Sequence, residues 1–193
     1  AGRIPVLDAT PAGRAVYAQL GFRDGWAITR WEASCTSAVG VQRPNDLTIR
    51  PIEAGDWDAI VAFDVPAFGI DRSVLLRRLH ARSQSFACAA FAGATLQGFA
   101  LGRDGARATY VGPIVARDDR VATALAQAIV TRIASVAPGL VYLDALDAHP
   151  ALAGALTHVG FRVQRPYTRM ALGSETAIGD SARVYAIAGP ELG

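Results

Sequence analysis

The beginning of the chain recurs near its end. Gly21-Phe22-Arg23, followed by Thr29-Arg30, returns as Gly160-Phe161-Arg162, followed by Thr168-Arg169. The offset is constant at 139 (160 − 21, and 168 − 29). Upstream, Leu7-Asp8-Ala9 and Pro11-Ala12 return as Leu143-Asp144-Ala145 and Pro150-Ala151. The first of these offsets is 136 (143 − 7), so the second copy carries three extra residues before its helix. A repeat with a fixed period marks duplicated structural units. A whole domain's length precedes the second copy and almost nothing precedes the first. The expectation is the tail of one domain (1–33), a linker (34–46) and a complete second domain (47–193), as in a fragment of a longer protein.

Periodicity fills in the units. Ile4–Asp8 reads as a strand, Pro11–Leu20 as a helix capped by Thr10 and stopped by Gly21, and Trp26–Trp31 as a strand. Ala33–Asp46 has no period and is rich in Ser, Gly, Asn and Pro. From Leu47 the reading is strand, two helices (Asp56–Phe63 and Arg72–Arg82), and three strands (Phe86–Phe91, Leu96–Arg103, Ala108–Val115) joined by Gly-containing turns. A long helix, Asp118–Val136, follows, with Ala122, Leu125, Ile129, Ile133 and Val136 on one stripe. Strand Leu140–Ala145, helix Pro150–Val159 and strands Val163–Leu172 and Arg183–Ala188 close the unit. Strands on both sides of the long helix make it a crossover between parallel neighbours, and the three hairpin-linked strands should be antiparallel. The fold class expected is α/β: a mixed, mostly antiparallel sheet flanked by helices.

Composition narrows the function. Hydrophobic residues make up 51% of the chain, and a net charge of +2 is too small to argue for nucleic-acid binding. No apolar run approaches the roughly 20 residues of a membrane span, no secretion signal is visible, and a cytoplasmic location is expected. All 19 basic residues are Arg, a pattern that GC-rich coding explains. Cys35 and Cys88 do not form a disulfide framework, and the three His lack metal-ligand spacing.

Element order, the junction Tyr110-Val-Gly-Pro-Ile-Val-Ala-Arg-Asp-Asp-Arg120 and the paired helix-Gly-Phe segments together resemble the GNAT acetyltransferase superfamily. Phe68-Gly-Ile-Asp-Arg72, Gly112-Pro-Ile-Val-Ala116 and the closing Tyr185–Gly193 are similar to the divergent second domain of bacterial tandem GNAT proteins. The resemblance implies acetyl-CoA as cosubstrate, a small-molecule amine as acceptor, and an N-terminal GNAT domain ahead of this chain. By the family pattern, Ile114 and Val115 would offer backbone groups to the pantetheine arm. Arg120, Val121, Ala122, Thr123 and Ala124 would form the pyrophosphate loop at the helix N-terminus. Arg120 matches the family's basic residue, whereas Val121, Thr123 and Leu125 stand where the family has glycine.

The family's general acid is a Tyr four residues before the Gly of Gly-Phe. That position is Tyr17 in the first copy and Leu156 in the second, and leucine donates no proton. The first copy therefore keeps the candidate acid that the complete copy has lost. Asp144 and its counterpart Asp8 are either candidate bases or carboxylates that cap a helix or hold a loop. His158 reads as a solvent-facing helical residue. Asp71-Arg72 reads as a helix cap or ion pair, with a lining of the acceptor cleft as the alternative. Two functions stand: part of an N-acetyltransferase working by direct attack, or a non-catalytic module that shapes a cleft, binds an effector or mediates homodimerisation.

Overall fold

The computed structural model describes residues 4–35, 45–174 and 178–192. Among the described residues, nine strands form one sheet. In chain order the elements are β1 (Val6–Ala9), α1 (Pro11–Gln19), β2 (Phe22–Cys35), β3 (Thr48–Arg50), α2 (Trp57–Phe68), α3 (Ser73–Arg82), β4 (Cys88–Ala92), β5 (Thr95–Asp104), β6 (Thr109–Ala116), α4 (Asp119–Val136), β7 (Gly139–Leu146), α5 (Pro150–His158), β8 (Arg162–Leu172) and β9 (Val184–Ala186). The expected order of elements is the observed one, and the sheet is mixed and mostly antiparallel. Strand β2 is much longer than expected. It runs through Ala33–Cys35, which the sequence assigned to the linker, because these residues pair with β7 and bury Ala33 and Cys35. Residues 36–44 of the expected linker lie outside the described residues.

The order across the sheet is β1-β8-β2-β7-β9-β6-β5-β4-β3. Two cores lie on its two faces. One packs α4 and α5 against the sheet through residues such as Leu125, Ile129, Ile133, Leu152 and Leu156. The other packs α2 and α3 through Trp57, Ile60, Leu76 and Leu79 onto Phe99, Leu101, Ile28 and Tyr167. One stripe assignment differs from the sequence reading: Val136, the last residue of α4, is exposed.

The two copies exchange strands. β2 of the first copy lies between β7 and β8 of the second, and β8 lies between β1 and β2 of the first. The registers obey a local twofold symmetry. Ile28 pairs with Tyr167, its own repeat equivalent (28 + 139), so the axis passes through this pair. Around it, Ala27 pairs with Thr168 and Thr29 with Pro166. The register shifts after Asp24 and after Arg30 are also symmetry mates. Asp8 faces Arg169 across β1 and β8, and Arg30 faces Asp144 across β2 and β7. These are the same pair of repeat positions, each time taken one from either copy.

Both facing pairs are buried, bidentate ion pairs. Arg30 Nε and Nη2 donate to Asp144 Oδ1 and Oδ2 at 2.7 and 2.8 Å. Arg169 Nε and Nη2 donate to Asp8 Oδ1 and Oδ2 at 2.8 and 2.9 Å. The Arg30 guanidinium also lies about 5 Å from the ring centroids of Tyr110, Tyr142 and Tyr167. Burial is the largest single influence and opposes its charge. The bond to Asp144, the Asp144 charge and the tyrosines Tyr167 and Tyr110 together outweigh it and raise its pKa. Asp8 and Asp144 thus cap no helix with their side chains. Each is consumed by an arginine of the other copy.

Removing one partner of such a pair strands the other charge. Asp144→Ala should lower unfolding free energy by about 3–5 kcal/mol, read from the midpoint of urea unfolding. Arg30→Met/Asp144→Leu together should recover most of that loss. Arg162→Ala, which breaks the exposed pair with Glu32, should cost less than about 1 kcal/mol.

Candidate functional site

The candidate cofactor residues cluster where β6 leads into α4. β6 and β7 run parallel only at Thr109–Val111 against Val141–Leu143. Beyond that point they part, and β9 enters between them. Ile114 pairs with Ala186 and Val115 with Val184, antiparallel, while Ala145 pairs with Ala186 on the other side. Ala116 N–H donates to Arg183 C=O at 3.0 Å, and Ile187 N–H to Asp144 C=O at 3.0 Å. The backbone groups of Ile114 and Val115 therefore face the chain's own closing strand. Val184, Tyr185, Ala186, Ile187 and Ala188 are all essentially inaccessible to solvent.

Local sequence prepares this seat. Gly112 has φ of +151°, and a Cβ there would lie 1.9 Å from the carbonyl oxygen of Ile187. Only glycine admits that approach. Downstream, Arg103 holds the tail: Nε donates to Ala188 C=O at 3.4 Å and Nη2 to Glu191.

The helix N-terminus is also spoken for. Asp118 caps it, its Oδ1 accepting from Val121 N–H at 2.9 Å. Val121, Ala122, Ala124 and Leu125 are buried, and Val121, Ala122 and Leu125 belong to the core between α4 and the sheet. Thr123 lines a crevice against α5 with Leu152 and Leu156. Arg120 turns outward and donates to Asp46 at 2.6 Å, which lowers the Asp46 pKa. The loop therefore does not converge on one point. Its side chains split among core, crevice and surface.

Beside it is an open depression of about 420 Å³, lined by Asp118, Asp119, Ala148, His149, Ser181, Ala182 and Tyr185. His149 stacks on Tyr185 at 3.7 Å between centroids. Its Nε2 lies 2.8 and 3.0 Å from the carbonyls of Ser181 and Val184, so Nε2 carries the proton. Nδ1 stands 3.7 Å from Asp119 Oδ1. Burial, then the bond to Asp119, pushes the Tyr185 pKa above its ordinary value. The sequence reading gave His149 no role, since it lies in no motif, and noted Tyr185 only as the first residue of the closing segment. They secure β9 to the start of α5 and α4.

The remaining candidates are dispersed. Tyr17 is half-buried on α1, its ring packed edge-on against Phe22 at 5.6 Å. Leu156, its counterpart, is buried under α4. Asp71 accepts from Ser73 N–H at 2.8 Å. Arg72 forms a buried bidentate pair with Asp64 at 2.8–2.9 Å and stacks on Phe68. The cap-and-ion-pair reading of Asp71-Arg72 is the one its geometry matches. His158 is exposed, and Cys35 and Cys88 are buried and in no disulfide.

Comparison with known proteins decides the family. The profile described as Acetyltransferase (GNAT) domain matches residues 60–186. The chain belongs to the GNAT acetyltransferase family. YitH of Bacillus subtilis (strain 168), an uncharacterized N-acetyltransferase, is 29% identical over 155 residues, which are 80% of this chain and 53% of YitH. The chain thus spans about half the length of this curated relative. A protein from Pyrococcus horikoshii superimposes with a TM-score of 0.72 at 21% identity, over 98% of this chain and 60% of the other. A GCN5-related N-acetyltransferase from Sphaerobacter thermophilus gives 0.69 at 18%, over 93% and 62%. Both share the fold of this GNAT chain.

Two outcomes test the seat of β9. Gly112→Ala should cost at least about 1–3 kcal/mol, because its Cβ cannot enter without displacing Ile187. The measurement is again the unfolding midpoint. The raised Tyr185 pKa contributes stability that is fully present below the unfolded value of 10.0 and is lost as pH rises through the folded value. Stability of the wild type should therefore fall more steeply above about pH 10 than that of Tyr185→Phe.

Proposed function

We propose that this chain is part of an acetyl-CoA-dependent N-acetyltransferase in which residues 47–193 are a non-catalytic GNAT module. Its role is to complete and wall a catalytic unit to which β1, α1 and β2 belong. The observation that carries this reading is the position of β9. The backbone of Ile114 and Val115, which the family offers to the pantetheine arm, is bonded instead to this chain's own strand. The acetyl-CoA-binding pattern and residues 47–193 do not fit one another: Val121 and Leu125 are packed in the core, and Asp118 holds a first-turn amide. No step of acetyl transfer is therefore assigned to this module.

In the catalytic unit the acceptor amine attacks the acetyl carbonyl carbon and the carbon–sulfur bond breaks. The Tyr17 hydroxyl gives its proton to the departing thiolate, and the amine loses its proton to a base. Strand β8 supports this assignment of roles. It flanks β1 directly, so the module supplies a strand beside the unit that carries Tyr17.

Calorimetric titration of acetyl-CoA into this chain tests the proposal. The expected result is no binding at micromolar concentration, unchanged by Arg120→Ala. Micromolar binding that Arg120→Ala weakens would overturn it and return the cofactor site to Arg120–Ala124. In a longer, active polypeptide, Tyr17→Phe should lower kcat by about 100-fold or more, with little change in the stability of this chain.

A further inference from the structure

We propose that the outer edge of β1 and the bare face of α1 receive a parallel strand and the long helix that follows it. These would come from a second GNAT unit in the same polypeptide. The inference rests on the function proposed above and gives it a surface.

β1 is the end strand of the sheet, with β8 on its only occupied side among the described residues. Pro5 C=O accepts from Leu172 N–H at 3.0 Å. Peptide groups alternate along a strand, so those of Pro5 and Leu7 face β8 and those of Val6 and Asp8 face the open edge. Proline has no N–H, and here it lies where none is needed on the outer side.

The second copy shows what such an edge holds. The repeat equivalents of Val6 and Asp8 are Tyr142 and Asp144 on β7. Tyr142 pairs in parallel with Tyr110 of β6, and Asp144 C=O accepts from Ile187 N–H. The helix tells the same story. In α5, Leu152 and Leu156 are buried under α4, and Ala155 and Val159 line the same contact. Their equivalents on α1 are Gly13, Tyr17, Val16 and Leu20. No residue of α1 is buried, and Val16 and Leu20 are 56% and 63% exposed. An apolar face matched position for position to a helix-packing surface here lacks its helix.

The occupant follows from the same comparison. A second copy of this chain cannot supply it, because its β6 and α4 are already engaged by β7 and α5. A different unit with the same strand–helix crossover can. The chain matches only 53% of YitH, which leaves room in such relatives for another unit.

The test is amide hydrogen exchange on this chain and on the polypeptide extended upstream of Ala1 by its encoded sequence. In the longer polypeptide the Val6 and Asp8 amides should slow by at least about 100-fold, together with the amides of α1. Val16→Asp/Leu20→Asp should leave the melting temperature of this chain unchanged, since both residues are exposed. In the longer polypeptide the same change should lower it by several degrees and abolish the added protection. Unchanged exchange at Val6 and Asp8 would overturn the proposal. So would a dimer of this chain, seen by sedimentation, that Val16→Asp/Leu20→Asp dissociates. Acetyl transfer is scored separately. Protection without turnover would keep the docking and sink the proposed function, and turnover without protection would do the reverse.

Discussion

Two crossed ion pairs hold the architecture to one solution. Arg30 reaches Asp144, and Arg169 reaches Asp8, each across a strand boundary between the two copies. A buried charge is expensive unless its partner and its hydrogen bonds are complete. Both pairs are complete only in the exchanged register. Moving β2 or β8 by one residue would turn its arginine to the other face of the sheet and leave that arginine and its aspartate unmatched. The tyrosines around Arg30, the Ile28–Tyr167 pair on the axis, and the packing of α2 and α3 over that face all assume this register.

Strand exchange also ties residues 47–193 to the first copy. Its β7 would be left without its β2 neighbour if the first copy were absent, and β8 would expose both edges. Unpaired central strands are aggregation-prone. The strands of the first copy are therefore structural components of the sheet that the second copy builds.

Much of this was legible in the sequence. Helix α4 announced itself through a long stripe at three- and four-residue intervals, and β4–β6 through alternation and turn residues. The repeat itself marked Leu7-Asp8 and Thr29-Arg30 as positions that matter. What repetition does not reveal is which copy's strand pairs with which. Equal sequences fit an exchanged and an unexchanged pairing alike, and the partners lie 114 and 161 positions apart. The role of β9 was hidden for a similar reason. Val184–Ala186 reads as a buried closing strand in any register, and only the parting of β6 from β7 shows where it inserts. In the candidate loop Arg120–Ala124, Val121 and Ala122 turn to the core, a destination that the resemblance did not indicate.

Gly112 decides what fills the sheet. Its missing Cβ accommodates a carbonyl that belongs to the molecule itself, so the gap between β6 and β7 is filled by peptide bonds rather than by a removable side chain. With backbone filling the gap, the start of α4 answers to packing alone: Val121 and Leu125 serve the core and Thr123 the crevice against α5. Reopening the gap would require unseating a strand whose residues are almost wholly buried.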